Sequence, residues 1–130
     1  GYTFCPDVCP FDVLKISKLF ENNPDLSEKI QPVFITVDPE RDTVENIKSF
    51  LQNFNSNIVG LTGNTEQIQT VTKKFKIYVK HNKNSEKDSN YLVDHSSIIF
   101  LIDENDNYIS FYRSNEFNEQ IFMDSLKKVF

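Results

Sequence analysis

Apolar positions recur along this chain in two rhythms. Val13, Ile16 and Phe20 follow helical spacing, and Leu14 and Leu19 widen the stripe, which predicts a helix over 11–21. Pro10 suits its first turn, because proline lacks an N–H that would have no intrahelical partner there. Asn22-Asn23-Pro24 ends it. Val33-Phe34-Ile35-Thr36-Val37 keeps a different rhythm, a short run rich in β-branched residues. It reads as a strand buried on both faces, closed by Asp38-Pro39. Asp42 and Glu45 then stand at capping-box spacing. Ile47, Phe50, Leu51 and Phe54 follow at i, i+3, i+4 and i+7, the clearest amphipathic helix of the chain.

Ile58 to Leu61 reads as a short strand. Asn64 and Gln67 offer a second cap, and Ile68, Val71 and Phe75 mark the buried face of a third helix. Ile77-Tyr78-Val79 reads as an extended segment, and the aperiodic polar stretch 81–90 as an exposed loop. Ile98 to Ile102 is a further buried strand. Asp103 to Asn107 supplies turn residues, Tyr108 to Tyr112 returns as a hairpin partner, and Phe122, Leu126 and Val129 mark a closing helix. Such alternation implies an α/β layer structure, with helices on both sides of a sheet. A cysteine motif that opens a helix normally follows a strand, and residues 1–4 are too few for one. The expectation is therefore a single domain over 1–130, trimmed at its N-terminus, with a central strand upstream of Gly1.

Composition narrows the partners. The chain has 130 residues, enough to bury a core, and is 38% hydrophobic and 25% charged, as globular proteins are. A net charge of -5 argues against a nucleic-acid partner, which usually requires a basic face. No apolar run approaches the roughly 18 residues of a membrane span, and no signal peptide is visible. In a trimmed chain, any anchor would lie outside these residues. The abundance of asparagine and lysine reads as genome bias and favours a eukaryotic source.

The candidate chemistry sits in Cys5-Pro6-Asp7-Val8-Cys9-Pro10, which holds both cysteines. Alone they admit a structural disulfide, a redox pair, a metal pair or inert thiols. A helix start favours the thiolate, which is both nucleophile and ligand. Helical i, i+4 positions place Cβ atoms about 5–6 Å apart, whereas a disulfide wants about 3.8 Å. A bond here would be strained and easily reduced, while a metal tolerates the wider gap. Two thiolates favour Cu(I), zinc or iron–sulfur clusters. A cluster usually takes four cysteines, and structural zinc four ligands. With His95, in Val93-Asp94-His95-Ser96, the set numbers three, which suits trigonal Cu(I). Asp94 reads as a fourth ligand or as a group orienting His95. Plainer readings stand beside these: a hydrogen-bonded bystander for His95 and for His81, a turn and helix cap for Asp38 to Thr43, and a solvated side chain for Asp7.

Three stretches, in order and spacing, resemble the Sco/SenC family: Gly1-Tyr2-Thr3-Phe4-Cys5-Pro6-Asp7-Val8-Cys9-Pro10, Val37-Asp38-Pro39-Glu40-Arg41-Asp42-Thr43 and Val93-Asp94-His95-Ser96. These are thioredoxin-like copper metallochaperones of cytochrome c oxidase assembly. The resemblance implies an α/β, thioredoxin-like fold with a central mixed sheet flanked by helices, here without its N-terminal strands. It implies Cys5, Cys9 and His95 as copper ligands, holding Cu(I) or also Cu(II). The implied partners are cytochrome c oxidase subunit II and an upstream copper carrier of the intermembrane space. Membrane contact would come only through an anchor outside this chain. The implied location is the mitochondrial inner membrane, facing the intermembrane space, with the bacterial periplasm as the alternative. A thiol–disulfide reductase that keeps the oxidase cysteines reduced is the second functional reading. Peroxide reduction is weaker, since it wants an activating arginine and the chain has only Arg41 and Arg113. Phe4 stands where the family often has a histidine. That histidine is not a ligand in the family, so binding is expected to survive the change.

Overall fold

In the computed structural model, which describes residues 1–4, 8–54, 57–84 and 91–127, three helices begin at polar caps, Thr43, Asn64 and Asn118. The elements run α1 (Val8–Asn22), a 3-10 turn (Pro24–Glu28), β1 (Val33–Ile35), α2 (Val44–Leu51), β2 (Val59–Leu61) and α3 (Thr65–Lys74). They continue as β3 (Val79–Asn82), β4 (Leu92–His95), β5 (Ile98–Ile102), β6 (Tyr108–Arg113) and α4 (Glu119–Leu126). Among the described residues the strands form three two-stranded ladders. β1–β2 is parallel, β3–β4 and β5–β6 antiparallel, so both pairings expected of a mixed sheet are present.

The expected cap of α3 is a full capping box: Gln67 N–H donates to Asn64 Oδ1 and Asn64 N–H to Gln67 Oε1. The expected cap of α2 is not. Thr43, not Asp42, accepts from Asn46 N–H at 3.2 Å. Asp42 is fully buried and its carboxylate turns inward, where hydroxyl and amide donors wait for it. Two further expectations change. Lys76 takes a left-handed φ of 55° after α3, so the extended segment starts at Val79. His81 and Asn82 extend β3 into the stretch read as a loop, and the rest of that stretch from 85 to 90 lies outside the described residues. β4 was not expected. It converts the polar stretch around Asp94 and His95 from a loop into a strand paired with β3.

Contacts divide the chain into two units, Gly1–Ser96 and Ser97–Phe130. In the first, Val13 of α1, Phe34 of β1 and Ile47 of α2 are buried together, with Phe50, Leu51, Phe54 and Ile58 packed around them. Leu14, expected in the stripe of α1, is exposed instead, and buried Ser17 takes a place on the inner face. A second cluster joins Tyr2, Val37, Tyr91 and Val93, with Val79 against it. In the second unit the β5–β6 hairpin turns through Asp103, whose Oδ1 accepts from the N–H groups of Asn105 and Asn107. Asp106 supplies the left-handed residue of that turn, at φ 63°. Tyr112, Phe117 and Phe122 form a mutual aromatic triad there, with ring centroids 5.5–5.9 Å apart. Ile98, Ile99 and Phe100 are half-buried rather than buried, and Val33 is exposed.

Gly60 fixes how closely α2 lies on β2. A Cβ at this position would meet Ile47 Cγ2 at 2.2 Å and Leu51 Cδ1 at 2.9 Å. Gly60→Ala should therefore destabilise the chain by about 1–3 kcal/mol through overpacking, read as a lower urea midpoint with an unchanged slope.

Candidate metal site

The four residues before Cys5 are each held by a different part of the first unit. Gly1 N donates to Ile35 O at 3.2 Å, and Val37 N donates to Gly1 O at 2.8 Å. The Tyr2 hydroxyl accepts from Val93 N–H at 3.2 Å, which ties it to the backbone of β4. Thr3 gives both its donors to one carboxylate: its N–H to Asp42 Oδ2 at 3.0 Å and its hydroxyl to Asp42 Oδ1 at 2.5 Å. The Phe4 ring lies 4.7 Å from the guanidinium carbon of Arg41. The Phe4 ring thus lies against a cation.

Behind this segment lies a buried polar network. Thr36, Asp38 and Asp42 are all 0% exposed. The Thr36 hydroxyl donates to Asp42 Oδ2 and accepts from Asp38 N–H at 2.9 Å. Asp38 accepts from Arg41 Nε on one oxygen and from the Tyr91 hydroxyl on the other. The Arg41 guanidinium lies 3.6 Å from the centroid of Tyr91. Burial, with the bond to the Asp38 carboxylate second, holds the Tyr91 phenol well above its ordinary pKa, so it stays a donor. A buried charge is tolerated only when its lone pairs are met. Asp42 meets three hydroxyl and amide donors, and Asp38 a guanidinium and a phenol. His81, at the edge of this network, donates from Nε2 to Val37 O at 3.1 Å. It is a hydrogen-bonded bystander, as its plainer reading had it.

His95 ends β4, opposite Val79 of β3. Its Nδ1 lies 2.9 Å from Ser96 O. A carbonyl only accepts, so Nδ1 carries the proton and Nε2 carries the lone pair. Burial, above all, lowers the pKa of His95, which keeps the ring neutral near pH 7, the form that ligates a metal. Its ring meets Tyr2 edge-on, with centroids 5.7 Å apart and planes at 83°. Asp94 is exposed, and its charge pushes the His95 pKa the other way. The orienting acceptor at Nδ1 is therefore the Ser96 carbonyl rather than the expected carboxylate. Cys9 is the second residue of α1, while Cys5 and Asp7 lie outside the described residues. Among the described residues, no three of His, Cys, Asp and Glu gather at metal-binding distance. A neutral imidazole with its donor nitrogen fixed suits a borderline-to-soft metal.

Sequence reasoning passed over Tyr2, Thr3 and Tyr91, and read Asp38 and Asp42 as turn and cap. One signal was present. Thr36 is a hydroxyl within an aliphatic strand expected to be buried, and such a group requires a partner.

The family model described as SCO1/SenC matches residues 1–130. A SCO2-like protein of Rickettsia prowazekii is 44% identical over 112 residues, covering 86% of this chain and 55% of the relative. The mitochondrial SCO1 homolog 1 of Arabidopsis thaliana is 40% identical over 119 residues, covering 88% of this chain and 34% of that protein. The chain thus spans about half the length, or less, of these relatives. Among solved structures, copper-bound ScoI of Bradyrhizobium japonicum superposes with a TM-score of 0.85 at 33% identity, over 98% of this chain and 80% of that one. The thioredoxin-like α/β fold is therefore shared.

The lowered pKa of His95 has a sign that can be checked. An unfolded histidine takes up its proton near pH 6.5, while the folded ring resists until a lower pH. The stabilisation is fully present above about pH 6.5 and is lost as the pH falls toward the folded value. Urea unfolding of the metal-free protein should show stability falling over that window, and His95→Gln should flatten the slope.

Proposed function

The chain belongs to the SCO1/SenC family, and from that premise we propose that it is a copper chaperone, with Cys5, Cys9 and His95 holding copper as cargo. It receives the metal from an upstream carrier and delivers it to the binuclear copper site of cytochrome c oxidase subunit II. One observation carries this reading. The His95 imidazole is neutral, has its lone pair on Nε2, and packs on Tyr2, three residues before Cys5. Copper bound to the ScoI of Bradyrhizobium japonicum supports the choice of ion. Two thiolates and an imidazole form a soft, three-coordinate set that favours Cu(I), with Cu(II) as the other state to test. Three ligands leave a face open for ligand exchange with a partner. The mitochondrial relative supports a mitochondrial location, which the proposal puts at the inner membrane, facing the intermembrane space. No helix among the described residues is long and apolar enough to cross a membrane.

A second reading has its own support. Cys9 falls in the first turn of α1, and thiols at helix N-termini are held toward the thiolate. As a reductase, one thiolate of the pair attacks a disulfide of the oxidase subunit. The other displaces the resulting mixed disulfide, leaving the pair oxidised and the target reduced by two electrons.

Copper competition against a colorimetric Cu(I) chelator separates the readings. The reduced protein should bind one copper per chain. His95→Ala should weaken binding by more than the ~10–100-fold that loss of an outer-shell partner costs, and Cys5→Ala should abolish the tight site. Tight stoichiometric binding retained in both variants would sink the three-ligand assignment. Reduction of an oxidised subunit II peptide by His95→Ala at the wild-type rate would favour the reductase.

A further inference from the structure

We propose that Tyr2 is the positioning residue that sets where the His95 ring stands relative to the cysteine segment. This inference rests on the copper-site reading above. The candidate ligands come from segments 86 positions apart in sequence, Cys9 and His95. Something must hold those segments in register. Tyr2 is 3% exposed, contacts β4 through its side chain and precedes Cys5 by three residues in the chain. Its hydroxyl accepts from Val93 N–H, two residues before His95, and its ring meets the edge of the His95 ring. Its backbone runs into Cys5 three residues later.

The same short segment is clamped on either side. Gly1 is bonded to the backbone at Ile35 and Val37, and Thr3 is bonded twice to the buried carboxylate of Asp42. Tyr2 therefore has little freedom to shift. Whatever it contacts on β4 inherits that restraint. The Nδ1 bond to Ser96 fixes the rotation of the imidazole, and Tyr2 fixes its location. Two separate restraints on one ring leave Nε2 pointing in a single direction. A restraint of this kind acts through His95 and does not require Tyr2 to touch the metal.

The test compares Tyr2→Leu, which removes ring and hydroxyl, with Tyr2→Phe, which keeps the ring. Gly60→Ala serves as a control that destabilises the chain away from the site. In metal-free protein, the His95 ring-proton shifts should carry the ring current of Tyr2. They should persist in Tyr2→Phe and collapse in Tyr2→Leu. With copper, Tyr2→Leu should lose about 10–100-fold in Cu(I) affinity, as an orienting partner does. Its Cu(II) electron paramagnetic resonance spectrum should move toward that of His95→Ala. Tyr2→Phe should stay within a few-fold of wild type, and Gly60→Ala should bind as wild type despite its lower stability. Should Tyr2→Leu not fold, wild type decides: the Tyr2 ring-current shift on His95 must be the same with and without copper, and its loss on loading overturns the proposal. A folded Tyr2→Leu with wild-type affinity and spectrum also overturns it. Wild-type protein that binds no copper overturns the chaperone reading instead, and the metal-free His95 shifts still decide whether Tyr2 places the ring.

Discussion

A single buried carboxylate holds the approach to the candidate site. Asp42 lies just before α2, fully out of water, and accepts from Thr36 at the end of β1 and twice from Thr3. Removing a carboxylate from water costs several kcal/mol, and hydrogen bonds to the charged form must offset it. That requirement is what makes Asp42 a constraint. The chain can bury it only with Thr3 and Thr36 brought to one place, so satisfying the charge aligns the segment before Cys5 with the end of β1. Asp38 works in parallel. It joins Arg41 to Tyr91, and the guanidinium of Arg41 lies against Tyr91 and Phe4.

The reach of this network extends to His95 through aromatic side chains. Tyr2 and Tyr91 are buried beside Val37 and Val93, so apolar packing and polar satisfaction operate in the same few ångströms. Each tyrosine contributes a ring to the cluster and a hydroxyl to a backbone amide or carboxylate. β4 is held by β3 on one side and by the Tyr2 hydroxyl at Val93. A metal carrier needs ligands placed well enough to bind and few enough to release. A neutral imidazole on a pinned strand meets its share of that need in the function proposed for this chain.

The elements themselves were largely legible in the sequence. Helical spacing of Ile47, Phe50, Leu51 and Phe54, the Asn64–Gln67 box and the β-branched runs of β1 and β5 each depend on contacts within a few residues, so local pattern suffices to read them. The thioredoxin-like fold followed from the motifs and from their likeness to a family. β4 escaped because Leu92-Val93-Asp94-His95 looks polar and short, and its identity as a strand depends on pairing with β3 across a gap in sequence. Leu14 was misplaced for a similar reason. A stripe of apolar residues does not say which edge its neighbours will cover.

Residue type and spacing made Cys5, Cys9 and His95 candidates for soft-metal chemistry, and only the likeness to a family named them as copper ligands. The starts of α3 and of the hairpin turn were likewise set by local residues, the Asn64–Gln67 box and Asp103. Tertiary structure alone decided that Asp42 is an interior anchor rather than a cap, that the Ser96 carbonyl rather than Asp94 orients His95, and that Tyr2 lies against that ring. A cap and a buried anchor use the same carboxylate. Which role it takes depends on whether Thr3, 39 residues away, is there to donate, and that proximity is a property of the fold and of no local stretch of chain.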